Sequence, residues 1–112
     1  MTRRIQLTPQ ASNDLDNEFD YLVERNTEAA RRFYAAAQET FSSLAEIPGT
    51  GVLRDYQNPQ FAGMRMRAIK GFRNYLAFYL TTDDSIQVLR VLHGARDIER
   101  IFSSATEGES GQ

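Results

Sequence analysis

The sequence predicts an α+β fold: one N-terminal strand, an antiparallel helix hairpin and then a three-stranded antiparallel meander. In the first half, apolar residues recur at intervals of three and four, which is the spacing of amphipathic helices. In the second half, apolar runs of strand length are separated by only a few turn-forming residues, so consecutive strands must be antiparallel neighbours. The length of 112 residues suits one domain, which we place at residues 1–102.

Helix signals define the first half. Residues 4–8 alternate polar and apolar side chains and predict a short strand. Thr8 and Pro9 fit the N-cap and first position of a helix whose acidic residues, Asp14 among them, are assigned to its solvent-facing sides. Asn26 ends this helix and caps a second one, which Pro48 stops. So short a connection predicts an antiparallel hairpin.

Turn signals organise the second half. Residues 48–63 hold two of the three prolines and predict a loop of about a dozen residues. The strands are expected at residues 64–69, 75–81 and 86–92, and a helical turn is expected at 97–102. Residues 103–112 contain no bulky side chain and are expected to form a disordered tail.

Composition excludes several classes of site. The absence of cysteine rules out disulfides, thiolate metal sites and cysteine nucleophiles. A single histidine and no Gly-rich phosphate loop leave no pattern for a metal or a cofactor, and we expect neither. No apolar run approaches the ~18 residues of a membrane span, and no signal-peptide pattern follows the N-terminus. We therefore expect a cytoplasmic protein without a membrane partner.

Charge is distributed unevenly along the chain, although the formal net charge is only −2. Residues 1–63 contain six basic and nine acidic side chains, whereas residues 64–100 contain seven basic and four acidic ones. The predicted sheet is therefore basic and the helices are acidic. A weakly acidic chain lacks the overall positive charge that phosphate binding favours.

Short segments spread over nearly the whole chain carry a family resemblance. They are Leu7-Thr8-Pro9-Gln10-Ala11, Asp14-Leu15, Phe41 with Leu44-Ala45, Ile47-Pro48-Gly49, Gly51, Arg54, Gly63-Met64-Arg65, Gly71-Phe72-Arg73-Asn74-Tyr75, Phe78-Tyr79, and Arg90-Val91-Leu92-His93-Gly94-Ala95-Arg96-Asp97. Because these segments occur in this order and at this spacing, the chain resembles the RelE/ParE superfamily of type II toxin-antitoxin toxins. It resembles the ParE branch more than the RelE branch. The resemblance implies the RelE/ParE-like fold, inhibition of DNA gyrase by binding, and a hetero-oligomer with a neutralising antitoxin.

Basic residues of the second half are the candidate contacts to the target. Arg65 and Arg67 alternate on one predicted strand and should share a face, where they would bind an anionic partner or form a solvated surface balanced by the acidic helices. The resemblance also associates ParE activity with the end of the chain and the adjoining sheet surface, which favours Arg90, Arg96 and Arg100. The target-binding candidates are Arg65, Arg67, Arg73, Arg90, Arg96 and Arg100.

Two alternative functions stay open. A RelE-like endoribonuclease, acting on mRNA in the ribosome, would use His93 as acid or base and Arg65, Arg67 and Arg90 to hold phosphate. No late Tyr, Lys or second His joins His93, however, and a lone His at a strand end more often hydrogen-bonds a neighbouring backbone group or a carboxylate such as Asp97. The other alternative is an inactive family member. The resemblance also implies that many ribosome-directed members are strongly basic, and the net charge of −2 departs from that pattern, which weakens the RNA-cleaving interpretation. We therefore lean toward a binding protein rather than an enzyme.

The helix hairpin offers candidate contacts to the antitoxin. Antitoxins of this kind wrap a helix and an extended segment around their toxin, as the resemblance implies. Aromatic and apolar residues that we expect to be partly exposed on the hairpin would be the docking points. They are Tyr21, Leu22, Phe33 and Tyr34.

Overall fold

The computed structural model describes residues 2–103 and confirms the predicted α+β class. The remaining part of the tail predicted for residues 103–112 lies outside the described residues; Ser103 itself ends the last helix. The elements are β1 (Arg4–Leu7), α1 (Pro9–Arg25), α2 (Thr27–Glu46), β2 (Val52–Leu53), β3 (Arg65–Ile69), β4 (Phe72–Thr81), β5 (Ser85–His93) and α3 (Ile98–Ser103). Single 3₁₀ turns lie at Pro48–Thr50 and Pro59–Phe61.

Both long helices begin at the caps that the sequence predicts. The Thr8 hydroxyl accepts a hydrogen bond from the Ala11 amide at 3.1 Å, and the Asn26 side-chain oxygen accepts one from the Ala29 amide at 3.1 Å. Each bond satisfies one of the backbone donors left open at the start of a helix. One residue, Asn26, therefore separates α1 from α2, and the pair forms the expected hairpin.

The five strands form one sheet in the order β1-β5-β4-β3-β2. β1 is parallel to β5, and all other neighbours are antiparallel. The sequence predicted the meander β3-β4-β5 but not β2, whose two residues lie within the predicted loop. Gly71 makes the tight β3–β4 turn with a positive φ of 81°, a conformation that glycine adopts without steric cost.

A bulge interrupts β5. Phe78 of β4 lies opposite Arg90 and Tyr79 lies opposite Val88, so Leu89 has no partner in β4. Because the extra residue shifts the alternation of side chains, Val88 and Val91 both face the helix hairpin, although they are three residues apart. The bulge thus explains how an apolar run with an arginine inside it fits a sheet that is covered on two faces.

Each face of the sheet has its own apolar core. The larger core lies under the helix hairpin and joins Phe33, Phe41 and Leu44 of α2 to strand residues such as Tyr79. The smaller core lies on the opposite face, where Phe102 of α3 is fully buried. The last helical turn is therefore part of the packed structure, because it covers a face that would otherwise expose apolar residues.

No helix among residues 2–103 combines the length and the apolar character needed to cross a membrane.

Candidate functional site

The edge of β5 beside α1 is completed by side chains rather than by a strand. β1 ends at Leu7, so β5 has no strand neighbour on that edge beyond Val88. The Thr8 hydroxyl donates to the Leu89 carbonyl at 2.8 Å, and the Asp14 carboxylate accepts from the Val91 amide at 2.9 Å. The first turns of α1 therefore satisfy backbone groups that a longer β1 would have paired.

Asp14 also binds Arg90. The guanidinium Nε and Nη2 donate to Asp14 Oδ2 and Oδ1 at 2.8 and 3.0 Å, a two-point geometry that suits the planar fork of arginine. The two side chains retain only 25% and 12% of their exposure. The hydrogen bond to Asp14 is the main reason that the pKa of Arg90 is raised. The solvent-facing assignment of Asp14 was wrong, and Arg90 is engaged within the protein.

A groove of about 450 Å³ lies beside this pair, between α1 and the end of β5. It brings together residues predicted for three different roles: Tyr21 for the antitoxin, Arg96 for the target and His93 for catalysis. Its remaining lining residues are Asp14, Asn17, Glu18, Tyr75 and Val91.

Tyr75 and His93 are two of the residues that line the groove. The Tyr75 hydroxyl donates to the Glu18 carboxylate, and burial, followed by this hydrogen bond, raises the pKa of Tyr75 far above its usual range. The His93 ring packs edge-on against Tyr75 at 4.9 Å, and its Nδ1 accepts from the Ala95 amide at 3.0 Å. Of the two partners considered for His93, a backbone group and a carboxylate, the structure has the backbone group. Packing against Tyr75 further restricts the His93 ring.

A second polar cluster lies beside α2, around the start of the 48–63 loop. The Tyr79 hydroxyl accepts from the Gly51 amide at 3.0 Å and donates to the Pro48 carbonyl at 2.5 Å. A Cβ at position 51 would overlap the Tyr79 hydroxyl, so the close approach requires glycine. Burial raises the pKa of Tyr79, opposed in part by the Gly51 hydrogen bond and the positive charges of Arg65 and Arg67.

Arg65 and Arg67 both reach toward this loop. Arg65 Nη1 donates to the Gly51 carbonyl at 2.7 Å, and Arg67 Nη1 donates to the hydroxyls of Thr50 and Ser43 at 3.0 and 3.3 Å. The prediction that the two arginines share a face is confirmed, but that face is the one under the helix hairpin. Neither arginine belongs to an open, solvated sheet surface.

The residues proposed for RNA cleavage are divided between two places. His93 lies in the groove beside α1, and Arg90 is bound to Asp14 there. Arg65 and Arg67 lie on β3, two strands away from β5, beside α2. The helix hairpin and the core beneath it occupy the space between these two places. No single cleft in the described part of the chain therefore holds the four residues.

Three predicted target-binding residues lie on the surface near the end of the sheet. Arg73 and Arg96 are exposed, and the chain segments that carry them are joined by the hydrogen bond from the Gly94 amide to the Asn74 carbonyl at 2.6 Å. Arg100 is exposed on α3, where its amide donates to Asp97. Arg73, Arg96 and Arg100 are the more accessible half of the six arginines that the sequence nominated.

The predicted antitoxin contacts differ in exposure. Tyr21 and Tyr34 are 50% and 44% exposed, whereas Leu22 is partly buried against the core. Phe33 has no exposed surface and packs edge-on against Phe72 at 5.3 Å, so the expectation of partial exposure was wrong for this residue. Phe33 and Tyr34 are adjacent on α2 and point in different directions around the helix axis, and Phe33 is the one that faces the sheet.

Residues that the sequence did not nominate complete both clusters. Asp14 was grouped with the solvated acids, although it follows Ala11 by three positions and therefore borders the core face of α1. Ser43 and Thr50 gave no signal, and nothing in the sequence indicated that Tyr79 holds the loop, because these roles depend on the loop returning to the sheet. Within residues 2–103, no three His, Asp or Glu side chains lie together as possible metal ligands.

Comparisons with known proteins give a family match and a similar solved structure. The sequence profile described as "ParE toxin of type II toxin-antitoxin system, parDE" matches residues 5–98. Curated proteins give no match. A solved structure entitled "Chromosomal ParDE TA system from P. aeruginosa" is similar, with a TM-score of 0.66 and 22% identity over 82% of this chain and 96% of that chain. At that identity the structural likeness shows the fold alone.

Proposed function

The chain belongs to the ParE toxin family of type II toxin-antitoxin systems, and on that premise we propose that it inhibits DNA gyrase by binding and that a cognate antitoxin holds it inactive. The observation that carries the proposal is the family match, which spans residues 5–98. Gyrase is the target expected of a ParE-type toxin, and it would be met in the cytoplasm. The inhibited state would be a hetero-oligomer of toxin and antitoxin.

Gyrase would be contacted by the end of the sheet and the turn that follows β5. Arg73 and Arg96 are exposed there, and neither side chain has an ion-pair or hydrogen-bond partner in the part of the chain that the structure describes. Exposed arginines are common at protein interfaces because they bind carboxylates in two-point geometry and stack on aromatic rings. Arg100 on α3 would extend the same surface.

Inhibition by binding fits the site geometry better than RNA cleavage does. Cleavage needs a proton acceptor and phosphate-binding cations around one reacting group. Here His93 is two strands away from Arg65 and Arg67, and Arg90 already binds the Asp14 carboxylate. A ribosome-dependent nuclease would have to reorganise both sides of the helix hairpin, so no observation favours it as a second proposal.

The antitoxin would cover the exposed aromatic residues of the helix hairpin. Tyr34 packs edge-on against Phe19 at 6.0 Å, and the Arg25 guanidinium lies 3.7 Å from the centre of the Tyr21 ring. These neighbours restrict the two tyrosines before any partner binds. Ordered aromatic side chains with a polar hydroxyl are typical contacts at the centre of an interface.

The proposal is tested by adding the purified protein to a supercoiling reaction of gyrase from the source organism. We expect supercoiling to stop and cleaved DNA to accumulate, and we expect the antitoxin to reverse both effects. The variant Arg73→Gln/Arg96→Gln should require about tenfold more protein for the same inhibition, since each lost charge-assisted contact weakens binding.

The matched control is Arg31→Gln/Arg32→Gln, which removes two exposed arginines from α2. This control should inhibit like the wild type. Unimpaired supercoiling at a large excess of wild-type protein would contradict gyrase inhibition. Equal losses in the two double variants would instead contradict only the proposed contact surface.

Antitoxin contact is tested separately by calorimetry. Tyr34→Ala should weaken antitoxin binding by about tenfold or more, because an exposed aromatic residue at an interface contributes through its buried area. Ile47→Ala is the control, because Ile47 is 60% exposed just beyond the other end of α2. If both variants bind the antitoxin like the wild type, the antitoxin does not use the Tyr34 surface.

A further inference from the structure

Arg65 and Arg67 are two partly buried arginines on one face of the sheet. They lie two residues apart on β3, so their side chains leave the same face about 7 Å apart along the strand. Their hydrogen-bond acceptors are the hydroxyls of Ser43 and Thr50 and the carbonyl of Gly51, all of them neutral. No carboxylate within residues 2–103 lies within ion-pair distance of either guanidinium.

Those neutral contacts orient the two guanidiniums without using most of their donors. A guanidinium carries five N–H groups, and among residues 2–103 only one nitrogen of each arginine, Nη1, donates a hydrogen bond. Arg90 differs because two of its nitrogens donate to a carboxylate. Two half-buried positive charges that share a face repel each other, and an anion between them would relieve that repulsion.

The position of the pair is also fixed from both sides. Ser43 belongs to the last turns of α2, and Thr50 and Gly51 belong to the loop that Tyr79 anchors. Because these groups hold the arginines before a ligand arrives, little side-chain freedom remains to be lost on binding. This distinguishes the pair from Arg73, an exposed side chain for which residues 2–103 provide no such contacts.

We propose that Arg65 and Arg67, with the hydroxyls of Ser43 and Thr50, form a binding site for an oxyanion. The ligand group is a carboxylate or a phosphate, held by charge-assisted hydrogen bonds from the unused guanidinium nitrogens. The site lies beside α2 and is separate from the groove beside α1, so it does not depend on the proposed gyrase contact. The two sources of such a group are an acidic side chain of a protein and a phosphate-bearing molecule.

The test is a titration followed by two-dimensional NMR, with citrate and inorganic phosphate as probes at constant ionic strength. We expect saturable shifts of the Ser43, Thr50 and Gly51 amides. Arg67→Met should weaken the binding by about tenfold or more, whereas Lys70→Met, which removes a neighbouring cation that pairs with Glu39, should change it less than about twofold.

The two probes separate the sources. Saturation by citrate alone supports a site for carboxylates, and saturation by phosphate alone supports a site for phosphate groups; saturation by both supports the shared oxyanion chemistry. Shifts that do not saturate, or equal losses in Arg67→Met and Lys70→Met, would overturn the proposal, because any cation on the surface would then suffice.

A second variant covers the case in which Arg67→Met disturbs the fold. Thr50→Val keeps both charges and removes one hydroxyl that orients Arg67, together with the exposed hydrogen bond from this hydroxyl to the Ile47 carbonyl. It should weaken citrate or phosphate binding about threefold while leaving the spectrum of the sheet unchanged. Wild-type affinity in Thr50→Val would contradict an oriented site that includes this hydroxyl.

Discussion

Arginines of the same sheet have different hydrogen-bond partners on the two sides of the helix hairpin. Beside α1, Arg90 meets the carboxylate of Asp14 and loses most of its exposure. Beside α2, Arg65 and Arg67 meet only hydroxyls and a carbonyl. An arginine within a strand is therefore structural or available for a ligand according to which helix packs over it, and the residue type does not decide between the two.

The same two sides also complete the fold by different means. At β5, a helix side chain takes over backbone bonds where β1 ends. At β3, a loop is held down by Tyr79, whose hydroxyl bonds the Gly51 amide and the Pro48 carbonyl. The α1 side should therefore depend mainly on a charge pair, and the α2 side on neutral hydrogen bonds, which gives the two sides different responses to substitution and pH.

The largest difference should follow removal of Asp14. Asp14→Ala leaves the Arg90 charge and the Val91 amide without their partner in a half-buried place, and we expect a loss of about 2–3 kcal/mol in the free energy of unfolding. Glu39→Ala is the matched control, because Glu39 is also a helical acid paired with a cation, but an exposed one. Its loss should stay below about 0.5 kcal/mol in urea denaturation. Equal losses of stability in Asp14→Ala and Glu39→Ala would contradict the prediction that the partly buried pair contributes more than the exposed one.

Tyr79→Phe should have the next largest effect. It removes the hydroxyl that bridges the Gly51 amide and the Pro48 carbonyl, and the expected loss is about 1–2 kcal/mol. Hydrogen exchange of the Gly51 amide should accelerate more than exchange in β5. Tyr56→Phe is the control, because the Tyr56 hydroxyl makes only an exposed contact with Arg54 at 3.3 Å. A protected Gly51 amide in Tyr79→Phe would show that the loop is held by other groups.

Alkaline pH should test the α1 side through Tyr75. The pKa of Tyr75 is raised in the folded protein, chiefly by burial and then by Glu18, whereas the unfolded chain ionises near the ordinary value of about 10. The unfolded state therefore releases its proton first, and the stability contributed by neutral Tyr75 is present below pH 10 and falls as the pH rises beyond it. Between pH 9 and pH 11 the wild type should lose about 1 kcal/mol more than Tyr75→Phe. Parallel urea-derived stability curves would contradict the shift.

The smallest effect should follow substitution of Arg67. Arg67→Gln breaks two hydrogen bonds to hydroxyls but also removes an uncompensated charge, so the free energy of unfolding should change by only about 0.5 kcal/mol. The companion variant is Arg90→Gln, which removes one member of the paired charges and should cost several times more. Similar costs would mean that Arg67 is as structural as Arg90.

The elements of the fold followed from local signals in the sequence. Thr8, Pro9 and Asn26 mark helix boundaries by hydrogen bonds and backbone angles that involve only neighbouring residues, so the helix hairpin was predictable. The meander was predictable because its turns are short. The two-residue β2 was not, because its pairing with β3 depends on a loop whose path is set by distant contacts.

The candidate sites were only partly predictable. The sequence nominated Arg65, Arg67 and Arg90 together, but their partners lie 76 residues away for Arg90 and between 14 and 24 residues away for the other two. The sequence nominated Phe33 and Tyr34 together as partly exposed residues of α2, yet the orientation of the helix on the sheet leaves Phe33 buried and Tyr34 exposed. Adjacent residues of an α-helix point about 100° apart around the helix axis, so Phe33 can face the sheet while Tyr34 faces away from it.

The sequence by itself therefore determined the class of fold, the helix boundaries, the meander and the family resemblance, because each depends on periodicity, caps and short turns read along the chain. Only the tertiary structure decided which arginines are neutralised and which keep open donors. That outcome depends on the bulge in β5 and on the placement of Asp14, Ser43 and Thr50 beside particular strands. A charge is compensated by what lies next to it in space, and those neighbours come from distant parts of the sequence.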